Sequence, residues 1–421
     1  MYNSISMIQA APNVLFEVMA GFMTARYLTV ARQLNLFAIL ANRPATLEEI
    51  SQRLAMPRRT TRILVDALAA TGFVIQENKH YQNGRPAGTF TSQSSLADLG
   101  LALRLWDELL YRQAPTLEKK LRQNPVTSSI LRSYTSAHAS VHARAQARLW
   151  RHFILPTLTR LEDNLRQDPV AAILLRHRPV ADFRAWWSLW QEIVYPQWAG
   201  LEQSLRQDQA TFRFDDFSRE QWLAFTQGIE LLTARSAETL ARSYDFRRHR
   251  RLLDLGGGIG TFSIAALQRH KNLEATLFEW PVVAALARAR LANTPLATSV
   301  GVVEGDLFET PLPVQHDLII LANVAHLFSP DRNLALLQRI RLAVPDGTRL
   351  LLVDFWTDPT HTQPPFAALM AGGFQTISGE GDVYSQEEAF SWLRESGWRP
   401  LAHRPLAEAM SFIVAEADTW Q

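Results

Sequence analysis

The feature that most constrains this chain is the run Arg251-Leu-Leu-Asp-Leu-Gly-Gly-Gly-Ile-Gly-Thr261. A short apolar stretch ends in Asp254 and breaks into Gly256, Gly257, Gly258 and Gly260, which reads as strand, tight bend and helix. Glycine gives the bend backbone angles barred to other residues and lets a ligand approach the main chain. The helix expected from Thr261 to His270 turns its unpaired N–H groups into that bend, so a polar or anionic group is expected there. A dinucleotide fingerprint wants glycine at the first, third and sixth places, and the sixth place here is Thr261.

A chain of 421 residues exceeds one ordinary domain, and two or three units are expected. With 47% hydrophobic and 20% charged residues it can bury real cores and is not a disordered segment. The net charge of only +2 makes no demand for a nucleic-acid partner. Cysteine is absent, which removes disulfides, zinc-thiolate sites and cysteine nucleophiles together, and no metal is expected. The apolar stretch Val14 to Val30 is interrupted by Glu17 and Arg26, and the start has no basic leader. A soluble cytoplasmic protein without a membrane partner is therefore expected.

From Ala11 to Leu40 apolar residues recur at helical spacing, with Leu15, Phe16, Val18, Met19, Phe22 and Met23 in one stripe, either a core face or a subunit contact. Thr46 and Glu49 form a capping box, a second helix runs from about Pro57 to Thr71, and Phe73 to Gln76 with Tyr81-Gln82 reads as a hairpin. Helix, turn, helix and wing is a winged-helix pattern. Its functional alternative is DNA binding through Arg58, Arg59 and Arg62, against which stand the apolar face of the same helix and the near-neutral chain. Between Leu101 and Ala210 the chain repeats. Trp106, Trp150 and Trp190 each precede a tag, Leu121-Arg-Gln-Asn-Pro-Val, Leu165-Arg-Gln-Asp-Pro-Val and Leu205-Arg-Gln-Asp-Gln-Ala, so each copy reads as a helix of about twenty residues. Trp150, Trp186, Trp187, Trp190 and Trp198 either cement these helices or line a hydrophobic mouth, and the extra copies would then form a lid or wall over a substrate pocket.

Beyond the bend the order is Phe278-Glu-Trp-Pro281, Glu304-Gly-Asp-Leu-Phe308, Ala322-Asn-Val-Ala-His326, Pro345-Asp-Gly347 and Gly381-Asp-Val-Tyr-Ser-Gln-Glu-Glu388. This succession resembles the small-molecule O-methyltransferase family, and a weaker resemblance covers residues from about Ala11 to Leu99. The resemblance implies an α/β chain with a doubly wound class I methyltransferase sheet over 218–421. Before it come an all-α winged-helix dimerisation domain over 1–100 and a helical repeat insertion over 101–217. It further implies S-adenosylmethionine as cofactor, a small-molecule acceptor and a homodimer formed through the N-terminal domain.

The site follows from the same segments. Asp254, Gly256 and Gly258 bring the bend to the cofactor. Glu279, at the tip of a strand from Leu273, can accept both ribose hydroxyls, a solvated surface acid being the plain alternative. Asp306 can accept from the adenine amino group, with Leu307 and Phe308 as apolar walls. The buried strand Asp317 to Leu321 delivers Asn323, the last of the expected cofactor contacts, and His326 to the carboxyl edge of the sheet. His326 stands at the family's general base; imidazole is suited to take a proton from a phenol, and Asp354 can hold its second ring nitrogen. Leu327-Phe328 follows where the family runs Asp-Trp, and no second supporting acid stands at Val383. From a helix over Ser218 to Tyr244, Phe225 and Gln227 are substrate candidates, as are Met370 and Phe374, with core packing as the alternative for each. The implied reaction is methyl transfer to a hydroxyl of a bulky apolar, aromatic secondary metabolite or pigment. The alternatives are transfer to carbon or nitrogen, a drifted reaction on the same fold, and a winged-helix regulator that senses adenosylmethionine.

Overall fold

The computed structural model describes residues 10–87, 185, 188–292, 294–407 and 409–418. Apart from the first turns of the N-terminal helix, the elements below belong to one compact unit lying within 16–103 and 185–421. The first two repeat copies, Trp186, Trp187 and the lid expected of the insert lie outside the described residues.

The N-terminal elements are α1 (Ala10–Gln33), α2 (Leu36–Ile39), β1 (Ala45–Thr46), α3 (Leu47–Leu54), α4 (Arg58–Ala70), β2 (Val74–Glu77) and β3 (His80–Asn83). The capping box closes α3: Glu49 N donates to Thr46 Oγ1 at 3.2 Å and Thr46 N donates to Glu49 Oε2 at 2.9 Å. The wing is a three-stranded antiparallel sheet in the order β1-β3-β2, so the domain carries a strand beyond the expected hairpin and is not purely helical. Met19, Met23 and Tyr27 on α1 are buried within the single chain. Tyr27 Oη donates to Leu369 O at 3.1 Å and accepts from Gly372 N at 2.7 Å, tying α1 to the helix that walls the site.

The third repeat copy is not one continuous helix. A π-turn at Trp190–Val194 leads into α5 (Tyr195–Ala199), and the chain breaks at Gly200 before α6 (Leu201–Gln207). A side chain at Gly200 would collide with Thr211, so packing requires glycine at the break. Trp190 and Trp198 stand edge-on to Phe22 with ring centroids 5.0 and 6.2 Å away, so both cement this copy to α1. Next comes α7 (Arg219–Ser243), 25 residues long and capped by Ser218 and Gln221.

The larger, seven-stranded sheet is β4 (Arg251–Leu255), β5 (Glu274–Glu279), β6 (Val300–Glu304), β7 (Leu318–Ala322), β8 (Arg349–Asp354), β9 (Trp398–Pro405) and β10 (Ser411–Ala417). Between them run α8 (Thr261–Arg269), α9 (Pro281–Leu291), α10 (Pro330–Ala343), α11 (Pro365–Ser378) and α12 (Gln386–Glu395). The strand order is β6-β5-β4-β7-β8-β10-β9, parallel from β6 to β8, with β10 antiparallel to both its neighbours. Leu253, Leu255, Ile319, Leu321, Leu350 and Leu352 pack on one face, Leu252, Leu318, Ile320, Leu351 and Val353 on the other. Burial on both faces is why these strands read as unbroken apolar runs. The order reverses between β4 and β7, and the carboxyl ends of those two strands carry the glycine bend and His326.

Candidate active site

The bend after β4 holds Gly256, Gly258 and Gly260 at φ of +64°, +60° and +87°. Gly258 has open space where a side chain would project, so conformation alone demands glycine there. At Gly257 a Cβ would sit 2.5 Å from Asp254 Cγ, so packing beneath the bend forbids any larger residue. Asp254 itself is the expected contact that the structure moves. Strand alternation turns its carboxylate to the face carrying α8, where Ser263 Oγ donates to Oδ2, and it does not line the cavity above. Burial pushes its pKa up to about 6. Asp254 therefore supports the bend from below.

A cavity of about 460 Å³ opens at this edge of the sheet, lined by Gly256, Gly258, Glu279, Asp306, Leu307, Phe308, Asn323, His326, Phe225, Met370 and Phe374. Most of the expected contacts are thus brought to one space. Glu279 ends β5 with both carboxylate oxygens on main-chain donors, Gly258 N at 2.8 Å and Trp280 N at 2.7 Å. Burial, the largest influence, pushes its pKa up to about 7 against the pull of those two bonds. Asp306 Oδ1 accepts from Phe308 N at 2.7 Å and Glu309 N at 3.1 Å, and Oδ2 accepts from Trp280 Nε1 at 3.3 Å. Trp280 is a contact the sequence does not single out. Its signal is an aromatic residue directly after the acid at a strand tip.

After β7 the chain turns at Asn323, whose φ of +57° is rare outside glycine and whose buried Oδ1 has no hydrogen-bond partner. Three residues on, His326 is 7% exposed. Its Nδ1 lies 2.6 Å from Asp354 Oδ1 at the end of β8, and its backbone N donates to Asp354 Oδ2 at 3.2 Å. Asp354 Oδ1 accepts a hydrogen bond from Nδ1–H, which leaves Nε2 as the unprotonated acceptor of a ring that lines the cavity. Phe374 lies parallel to the imidazole, 3.6 Å between centroids and 14° between planes.

Phe366, Met370 and Phe374 recur every four residues along α11 and wall the cavity together. Only the last two are expected from sequence, although the spacing contains all three. On α7 the cavity meets Trp222, Phe225, Thr226 and Ile229. Gln227 is exposed on the opposite face and does not line the cavity, because a helix presents positions three and four apart to one side. Gln227 is thus corrected to Thr226 and Ile229 as the neighbours of Phe225. At Val383 there is no acid, as expected, and the adjoining Asp382 pairs with Arg62 instead of the imidazole.

Two family models match the chain, an O-methyltransferase dimerisation domain over residues 16–93 and an O-methyltransferase domain over 190–399, together about two thirds of its length. The chain belongs to the O-methyltransferase family. A 3-hydroxy-5-methyl-1-naphthoate 3-O-methyltransferase of Streptomyces sahachiroi is 30% identical over 44% of this chain and 52% of its own length. A tetracenomycin polyketide synthesis 8-O-methyl transferase of Streptomyces glaucescens is 22% identical over 92% of this chain and 91% of its own. The chain spans about half the length of the first curated relatives it matches. A crystal structure of an O-methyltransferase family 2 protein from Planctomyces limnophilus shares the fold, with a TM-score of 0.66 at 18% identity, covering 96% of this chain and 95% of that one.

S-adenosylmethionine is the cofactor of this family, and the residues present fit it. Glu279 and Asp306 offer carboxylate acceptors spaced along one edge, Leu307, Phe308 and Trp280 offer apolar faces, and the orphaned Asn323 Oδ1 awaits a donor. No helix among the described residues is long and apolar enough to cross a membrane.

Proposed function

We propose that this protein transfers a methyl group from S-adenosylmethionine to a hydroxyl of a bulky, mostly apolar aromatic small molecule, with His326 as general base. The observation that carries the reading is the free Nε2 of a buried imidazole, held on its other nitrogen by Asp354, at the wall of an apolar cavity next to the glycine bend. When bound, adenosylmethionine supplies an electrophilic methyl on a sulfonium whose leaving group is a neutral thioether. The chain's own residues do the rest. Glu279, Asp306 and Asn323 orient the donor; Phe225, Met370 and Phe374 exclude water and hold the acceptor. His326 Nε2 takes the hydroxyl proton as the oxygen forms its new bond to carbon, and Asp354 stabilises the imidazolium.

Assembly as a homodimer through residues 1–100, and a distinct region over 101–217, belong to the same proposal. The dimerisation-domain match and the tandem tags support them. A regulator reading loses two of the three arginines of its basic footprint, because Arg59 and Arg62 of α4 are engaged inside the chain and only Arg58 stays exposed. The deciding experiment is transfer of labelled methyl to a panel of naphthols and other hydroxylated aromatics, with amine and carbon-nucleophile analogues alongside. Label appearing on oxygen is expected; label only on nitrogen or carbon, or none with any acceptor that binds, rejects the reaction.

Asp354→Asn presents an amide to Nδ1 and favours the wrong tautomer. It is expected to lower kcat by about 10- to 100-fold, with little change in the dissociation constant for adenosylhomocysteine. Single-turnover rates at saturating donor check this, and a wild-type rate removes Asp354 from the mechanism.

A further inference from the structure

Two of the three arginines that a winged helix would turn to phosphate, Arg59 and Arg62, are turned inward onto residues 379–382, the segment that hydrogen-bonds the backbone of His326. Arg59 donates to the carbonyls of Gly379 at 3.0 Å, Gly381 at 3.2 Å and Glu380 at 3.3 Å. Arg62 pairs with Asp382, and also with Asp66 at 3.1 Å, both carboxylates being under 5% exposed. Tyr81 Oη, on the wing, donates to the other oxygen of Asp66 at 2.9 Å. Asp382 in turn donates its backbone N–H to His326 O at 3.0 Å. Gly381 lies so close that a Cβ there would stand 2.5 Å from His326 O and 2.9 Å from Phe374 O, the carbonyl of the residue stacked on the imidazole.

We propose that Arg59 and Arg62 are positioning residues for His326: helix α4 clamps residues 379–382, and that segment fixes the main chain of the histidine turn. This rests on the reading of His326 as base. The clamp has the means to do it. A guanidinium shared between two buried carboxylates is held by charge-assisted bonds on both sides and resists displacement, since removing any member strands a buried charge. His326 Nε2 has its direction set by one side-chain bond to Asp354, by the Phe374 ring stacked on the imidazole and by where its backbone stands. A displacement of order 1 Å at that backbone is expected to cost roughly 100-fold in rate without any contact to substrate being removed. The N-terminal domain thereby contributes to catalysis through geometry, which explains why the arginines of α4 pack against residues 379–382.

The test is Arg62→Met in the full-length protein, measured for kcat and for adenosylhomocysteine affinity by calorimetry. The expected result is a kcat lower by about 10- to 100-fold with affinity within about twofold, partly restored in Arg62→Lys. In a His326→Ala background the same substitution should cost little further, since it acts through a group already gone. Because Arg62→Met strands Asp66 and Asp382 and can unfold the domain, Gly381→Ala is the second variant. It leaves every charge in place, presses on His326 O and should give the same kcat loss at unchanged affinity. Either folded variant with wild-type kcat, a parallel fall of kcat and affinity, or a loss that adds in full to that of His326→Ala overturns the proposal. If His326→Ala alone turns over normally, it is the general-base reading that fails; if His326→Ala is impaired and both variants are normal, only the clamp fails.

Discussion

His326→Ala is expected to lower kcat by about 10²- to 10⁴-fold, the range that a positioned general base contributes, while adenosylhomocysteine still binds. The size follows from what remains after the substitution. Asp354 keeps two main-chain donors, His326 N at 3.2 Å and Phe355 N at 2.8 Å, so its carboxylate is not stranded and the protein should stay folded. The glycine bend, Glu279 and Asp306 make no hydrogen bond to the imidazole, so donor affinity should hold. Only proton removal and the face against Phe374 are lost. His326→Gln separates the two, because it keeps a planar polar side chain beside Phe374 but cannot take a proton. If base catalysis dominates, glutamine is as slow as alanine. If the histidine chiefly positions the acceptor, glutamine recovers much of the rate, and a near-normal kcat in His326→Ala itself would remove its role. Steady-state and single-turnover rates with saturating donor decide the matter.

Much of this site is legible in the sequence because its parts are set by local rules. The bend requires glycine, so Gly256 and Gly258 are marked by composition. Glu279, Asp306 and His326 each follow an apolar strand, and a parallel sheet brings all its carboxyl ends to one edge. What is illegible depends on direction and distance. Asp254 reads as a ligand contact because it precedes the bend, but one residue of strand alternation sends it beneath. Gln227 and Thr226 are neighbours in the chain, and the turn of about 100° per helical residue puts Thr226 on the cavity wall and leaves Gln227 exposed. Arg59 and Arg62 look like a phosphate footprint until residues some 320 positions later fill the space against them. Gly200 looks like any residue of a repeated helix, and only its closeness to Thr211 shows why glycine is required there.

Donor binding is expected to strengthen as pH rises through about 7, and Glu279→Gln is expected to abolish that dependence. Burial raises the Glu279 pKa to about 7, so near neutrality a large share of the free protein carries it protonated. A ligand whose hydroxyls donate to this carboxylate prefers the ionised form. Binding therefore releases a proton, and affinity should rise by about tenfold between pH 6 and pH 8 if the ionised form alone binds. The sign for the unliganded fold is opposite. A carboxyl whose folded pKa lies above its unfolded value of 4.5 favours folding most below that value, and the contribution is lost as pH rises through 7. Donor binding should reverse this trend in thermal melts. Asp254, raised to about 6 beneath the bend, titrates nearby but meets no ligand, so Asp254→Asn should keep the pH dependence that Glu279→Gln loses. Loss of the carboxylate also removes charge-assisted bonds worth about 1.5–3 kcal/mol each. It further leaves Gly258 N and Trp280 N without their present acceptors, so Glu279→Ala should weaken adenosylhomocysteine by about 100-fold or more. Calorimetry from pH 6 to 8 in buffers of differing ionisation heat reads both affinity and proton release. A flat affinity with no proton released in the wild-type protein would overturn the proton linkage, and only an unchanged affinity in Glu279→Gln as well would place the ribose away from Glu279.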